Sequence, residues 1–240
     1  MKNILYLVFI FSLISCADDD FLRSDLERLR NNQVAETPPE GLKLKSKYGL
    51  LSQQFFYNQN GFIDSISSYH SWGDDFSQKY IYNNLNQIIE YRYVVDEPHY
   101  PQAYKKEITF YTYNTFNQII SSLTYDKNNI AIAYKTFNYN KDGTLFSPNK
   151  VIANGNVVQD GSTKYQFDTF RNPYYNIYPK AYRILNFINK NNILLTERNY
   201  TSEVHINVHT LKYNSENYII EEHISDMPLD TDDHRGFSYY

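Results

Sequence analysis

The sequence predicts an all-β fold: an antiparallel up-and-down meander of repeated hairpins, curved into an open barrel or half-barrel. Three observations carry this expectation. One phrase recurs along the chain: an aromatic residue, Asn or Asp, two or three variable residues, Gly or Asn, then an aliphatic residue. Between copies, apolar and polar residues alternate with period two. No stretch beyond Leu42 shows a convincing helical stripe.

The clear copies span 57–63, 82–88, 113–119, 139–145 and 213–219. A fixed internal repeat sets architecture before any other cue. The Asn after the aromatic can accept a hydrogen bond from the backbone two residues on and start a turn. The later Gly or Asn tolerates positive φ at low cost. Each phrase therefore predicts a tight hairpin turn, centred near Asn60, Asn84, Thr115, Lys141 and Ser215. Weaker copies begin at Tyr125, Phe167 and Phe187.

Strands are expected between the turns. Ile108, Phe110 and Thr112 alternate with Thr109, Tyr111 and Tyr113, and Val204, Ile206 and Val208 with His205, Asn207 and His209. The pattern gives roughly a dozen strands. Looser loops are expected at 71–77, 96–103, 148–161 and 172–180. A twisted sheet of this width should curl. Its concave face is expected to hold Ile and Phe, with Tyr hydroxyls at the rim.

The first twenty residues speak to location. Lys2 precedes an apolar run from Ile4 to Ile14, too short for a stable membrane span. Leu13, Ile14 and Ser15 then lead into Cys16, the one cysteine in the chain. This resembles a bacterial lipobox, with residues 1–15 as signal peptide and Cys16 as the lipidated residue. Ala17 and three aspartates follow, and the run resembles a Bacteroidetes surface-export signal. The expected location is the outer membrane, lipid-anchored, on the cell surface, with a periplasm-facing anchor as the alternative. Residues 16–41 read as lipidated cysteine and tether, and 42–240 as the β-repeat domain. With Cys16 committed, neither a disulfide nor a cysteine-ligated metal is expected. The acidic end, including Asp230, Asp232, His234 and Gly236, reads as a mobile tail instead of a calcium loop.

The phrases resemble the YD repeats of RHS-type proteins. The lipobox, the Tyr-Asn hairpins and the segment 167–174 together resemble small Bacteroidetes lipoproteins of the DUF4595 type. That resemblance implies a porin-like or curved meander sheet and no assigned activity, and it supplies no functional residues.

Chemistry is sparse. The formal net charge is −4 and no basic patch stands out, so a nucleic-acid partner is not expected. His205 and His209 share a strand face but lie about 13 Å apart, too far for one ion. They read as solvent-facing, and no metal or other cofactor is expected. Glu90, Glu107, Glu197, Glu221 and Glu222 are scattered without diagnostic spacing. The surplus of 25 Tyr and 15 Phe is the one feature with functional colour. It suggests a non-enzymatic protein that binds an extracellular glycan or a surface protein through a Tyr-rich face. The candidate contacts are Trp72, Tyr91, Tyr93 and Tyr111. The alternatives are a polysaccharide-acting hydrolase and a transmembrane β-barrel.

Overall fold

The computed structural model describes residues 35–70, 75–96, 105–200, 203–227 and 231–240. The signal segment, Cys16, most of the tether and Trp72 lie outside the described residues. The described chain forms one antiparallel sheet of 15 strands. The first eight are β1 (Leu44–Tyr48), β2 (Leu51–Tyr57), β3 (Ile63–His70), β4 (Asp75–Tyr82), β5 (Ile88–Asp96), β6 (Lys105–Tyr113), β7 (Ile119–Tyr125) and β8 (Ala131–Thr136). The remainder are β9 (Lys150–Ala153), β10 (Asn156–Asp160), β11 (Thr163–Arg171), β12 (Asn191–Asn199), β13 (Val204–Tyr213), β14 (Ile219–Met227) and β15 (Thr231–Tyr239).

Strands consecutive in sequence pair with one another except β8 and β9, and the last strand returns to pair with the first. The meander would therefore form a ring, but it stays open between β8 and β9, the two edges. One short helix, α1 (Lys180–Leu185), follows a 3-10 turn at Pro173–Asn176. This segment packs on the inner face of the sheet. Ile177 is fully buried and its carbonyl accepts from Ile63 N at 2.9 Å. A cavity of about 140 Å³ joins Arg183, Ile184 and Phe187 to Gly155, Asn156 and Val157 of the β9–β10 hairpin. On its other side α1 packs against β7. In a flat sheet β7 and β10 would stand roughly 58 Å apart at ordinary strand spacing. A helix of one to two turns touches both, so the sheet is curled around it.

The repeat explains the hairpins atom by atom. Asn58 Oδ1 accepts from the backbone N–H groups of Asn60 and Phe62 at 3.0 and 3.1 Å. Asn83, Asn114, Asp126 and Asn214 accept the same pair of bonds in their turns. The fifth residue of each phrase takes positive φ: Gly61 78°, Asn86 60°, Asn117 62°, Asn129 59°, Gly143 82° and Asn217 64°. All five expected turn centres fall in turns.

Each hairpin also carries a bulge at one place. The register slips next to Tyr57/Ile63, Tyr82/Ile88, Tyr113/Ile119 and Tyr213/Ile219. A bulge bends its strand and raises local twist, so the repeat itself curls the sheet. The isoleucine at each slip is buried: Ile63, Ile88 and Ile119 at 0% exposure and Ile219 at 4%. Its carbonyl accepts a tyrosine hydroxyl from a neighbouring hairpin. Tyr82 Oη reaches Ile63 O at 2.5 Å, Tyr113 Oη reaches Ile88 O at 2.9 Å, and Tyr139 Oη reaches Ile119 O at 2.8 Å. Tyr239 does the same to Ile219 at 2.7 Å, and Tyr57 to Leu44 at 2.6 Å.

Several sequence expectations are corrected. The hydroxyls of Tyr57, Tyr82, Tyr113 and Tyr139 point to backbone carbonyls, and that of Tyr213 to a carboxylate, not to a rim. The C-terminal residues are no loose tail: β15 lies between β14 and β1. Residues 148–161 hold β9 and β10, because Asn154 and Gly155, both at positive φ, make a hairpin turn there. β4 already starts at Asp75, inside an expected loop. Residues 172–180 hold the helical insertion, which is too short to show a helical period. Its signals are Asn172, whose Oδ1 caps Tyr174 N at 2.9 Å, and the prolines at 173 and 179 that start each helical turn. The phrase at Phe167 is no turn. Asp168 sits inside β11 and accepts from Tyr213 Oη at 2.6 Å and Asn192 Nδ2 at 2.7 Å.

Tyr82→Phe should cost about 1–2 kcal/mol, because it leaves the buried Ile63 carbonyl without its donor. Tyr69→Phe, on an exposed ring, should cost under about 0.5 kcal/mol. Urea denaturation of the two variants measures both.

Candidate functional site

The inner face divides into an aromatic half and a charged half. The aromatic half lies under α1. Tyr178 and Tyr182 stack at 5.1 Å between ring centroids, and Tyr80 meets both edge-on at 5.6 and 5.7 Å. Tyr91 lies 5.3 Å from Tyr80, and Tyr111 lies 6.1 Å from Tyr182. Tyr93 pairs with Phe76 at 5.9 Å. Tyr91 and Tyr111 thus belong to one cluster packed against the core, with Tyr93 one step further along β5. Trp72 lies outside the described residues. Burial pushes the phenols of Tyr80, Tyr91 and Tyr182 up, and those of Tyr111 and Tyr178 to about 12 each.

The charged half spans β13, β14, β15 and β1. Period two puts His205, His209, Glu222, Asp226, Asp233, Arg235 and Lys47 on the face that carries Phe237. His209 Nδ1 stands 2.8 Å from Glu222 Oε1, and their side chains are only 11% and 12% exposed. Arg235 reaches Glu222 Oε2 at 3.2 Å and Asp233 Oδ2 at 2.7 Å. Burial alone would raise the Glu222 carboxyl, but His209, Arg235 and Lys47 together hold it below its ordinary range. Both histidines were expected in solvent. They face inward because β14 and β15 continue the sheet beside them. They do not share a ligand: His205 Nε2 sits 2.9 Å from Glu203 Oε1.

The remaining carboxylates do not converge. Glu90 pairs with Arg92, Glu107 with Lys105 and Glu221 with Lys212. Lys79 and Arg92 sit mid-strand on the outer face with side chains about half exposed, and Lys212 and Glu221 lie exposed on that face near a turn. A charge facing lipid at mid-depth costs about 2–4 kcal/mol, so this face is poorly suited to a bilayer. Among the described residues no helix is long and apolar enough to cross a membrane.

A cleft lies where the turns meet α1. It has a volume of about 750 Å³. The turn phrases build one wall: the ring of Phe116 is 71% exposed at a turn tip, beside Asn117, Gln118 and Tyr139. Asp142, Gly143 and Thr144 come from the next turn, and Lys180, Arg183 and Ile184 from α1. Glu36 closes it. Its carboxylate accepts from Asn117 Nδ2 at 2.9 Å and from Lys180 N at 2.6 Å. Residues 35–41, expected within the tether, thus dock along the turn end; Glu36 N also donates to Leu85 O at 3.1 Å. Thr144, through its hydroxyl and backbone N–H, holds the Asp142 carboxyl below its ordinary range. Arg183 Nη1 donates to Tyr175 O at 3.0 Å, while its buried Nε has no hydrogen-bond partner. No local pattern in the sequence points to this cleft, because α1 and the turns meet only in the curled sheet.

No protein-family profile matches the chain. No curated protein sequence matches it either. Among solved structures it is similar to a porin-like protein from Bacteroides uniformis, at a TM-score of 0.38 and 9% identity, over 83% of this chain and 96% of the other. At that level the likeness assigns neither family nor activity.

The buried phenols give an alkaline limit. Their folded pKa values lie above the unfolded value of about 10. Their contribution to stability is therefore complete below pH ~10 and falls as pH rises toward 12 and beyond. Near-ultraviolet circular dichroism should collapse together with the rise in tyrosinate absorbance in that window. Glu222→Gln, which leaves Arg235 and Lys47 short of a countercharge, should cost about 2–4 kcal/mol in thermal or urea unfolding.

Proposed function

We propose that this chain is a lipid-anchored outer-membrane protein that binds a carbohydrate, without transforming it, in the cleft between its turns and α1. The anchor rests on Cys16 and the apolar run before it. The observation that carries the binding reading is the wall of the cleft. An exposed aromatic plate, Phe116, stands among amides, a hydroxyl and two cations. Sugar rings present apolar faces for such a plate and hydroxyls for such polar groups.

Tyr91 and Tyr111 are spent on the core under α1. In this reading the turn end of the sheet is the ligand surface and the tyrosine-rich face holds the scaffold. Binding is favoured over hydrolysis by the carboxyls. Glycoside hydrolysis needs one carboxyl kept protonated by a raised pKa. Asp142, a carboxyl lining the cleft, is instead pulled down by Thr144.

Full-length chain carrying Cys16→Ser should bind members of an array of neutral and anionic oligosaccharides. Phe116→Ala should weaken that binding by about 1 kcal/mol, roughly fivefold. Absence of binding across the array, or binding indifferent to Phe116→Ala and Lys180→Ala, would remove this reading.

A further inference from the structure

On the outer face, away from the cleft, two histidines and an aspartate converge. His223 on β14 and His234 on β15 are direct cross-strand partners. Their rings stack at 4.2 Å between centroids and 11° between planes. Asp232 lies two residues before His234 on the same strand, so period two puts it on the same face. Its Oδ1 stands 3.2 Å from His223 Nε2. One ligand atom from each of the three lies within 4.8 Å of the others.

Two further facts set this group apart from an ordinary surface ion pair. His223 Nε2 is buried yet has no hydrogen-bond partner, because the approach of Asp232 is not aligned for one. A nitrogen in that position normally finds a donor or acceptor. A groove of about 480 Å³ also opens beside the pair, and Gly49 and Gly236 line it. Gly236 follows His234 by two on the same face and brings no side chain of its own into the groove, which the Tyr48 ring borders.

We propose that His223, Asp232 and His234 form a binding site for a transition-metal dication of the zinc class, with an open coordination position toward the groove. Two imidazoles and a carboxylate match the ligand preferences of zinc, and also of nickel and copper, better than those of calcium or magnesium. Zinc bonds these atoms at about 2.0–2.2 Å, which asks for ligand atoms roughly 3.3 Å apart. Rotating the side chains closes the present separations, because the backbones are already fixed by the β14–β15 ladder. Three protein ligands leave one position for water or a donor from a ligand in the groove.

The test is calorimetric titration of the full-length Cys16→Ser chain with zinc chloride, with calcium chloride as the contrast. One zinc ion per chain should bind, and calcium should not. His223→Ala and His234→Ala should each weaken zinc binding by more than the roughly 10–100-fold that even an outer-shell partner contributes. His205→Ala and His209→Ala should leave it unchanged. Cobalt(II) should give the intense visible absorption of a four-coordinate ion. In the unmutated chain, zinc should shield His223 and His234 from diethyl pyrocarbonate and leave the other four histidines as reactive as before. That readout needs no variant to fold. Lack of stoichiometric zinc binding, or protection that spares these two residues, overturns the site. Neither outcome touches the carbohydrate cleft, which shares no residue with it.

Discussion

The structure depends on one hydrogen bond made over and over. A tyrosine hydroxyl from one hairpin donates to the carbonyl of the isoleucine that follows the turn of a neighbouring hairpin. The bulge at that isoleucine disturbs the regular ladder, and the hydroxyl supplies a donor where the ladder is disturbed. One phrase thus does three jobs. Its Asn makes the turn, its aliphatic residue fills the core, and its aromatic residue ties the unit to the one before. Removing any of these leaves a buried backbone group or a void.

The turn amides add a second link at the same end of the sheet. Asn60 Nδ2 donates to Asn86 Oδ1 at 2.7 Å, Gln87 Nε2 donates to Asn117 Oδ1, and Glu36 holds both Asn86 and Asn117. Consecutive turns are therefore stitched side chain to side chain, and residues 35–41 run across them. This explains a preference for Asn where a turn alone would accept Asp. Asn83 and Asn114 accept from their own turns through Oδ1 and donate through Nδ2 to Oε1 of Gln87 and Gln118, which a carboxylate cannot do, and Gln87 so held donates to the next turn. The cleft grows out of the same order, since its wall is two adjacent turns and its floor is the helical insertion.

Much of this was legible in the residues. The strands around Ile108 and Val204 follow from alternation, and the turns at Asn60, Asn84, Thr115, Lys141 and Ser215 from Asn and Gly at fixed phase. What stayed hidden was long-range. No local pattern says that β15 returns to β1, so 231–239 read as an acidic tail and not as the strand that brings His234 to His223. Tyr91 and Tyr111 read as contact plates because sequence shows a surplus of rings but not the α1 segment that covers them. The helix itself spans six residues, fewer than two periods of its own repeat.

The most direct test is proton NMR of the tyrosine hydroxyls. A buried hydroxyl that donates to a carbonyl exchanges slowly with water and gives its own resonance. The account predicts five such protons, from Tyr57, Tyr82, Tyr113, Tyr139 and Tyr239. Each should show a nuclear Overhauser contact to its partner: Leu44, Ile63, Ile88, Ile119 or Ile219 in turn. Hydroxyl protons at these five positions that exchange as freely as those of exposed tyrosines would contradict it.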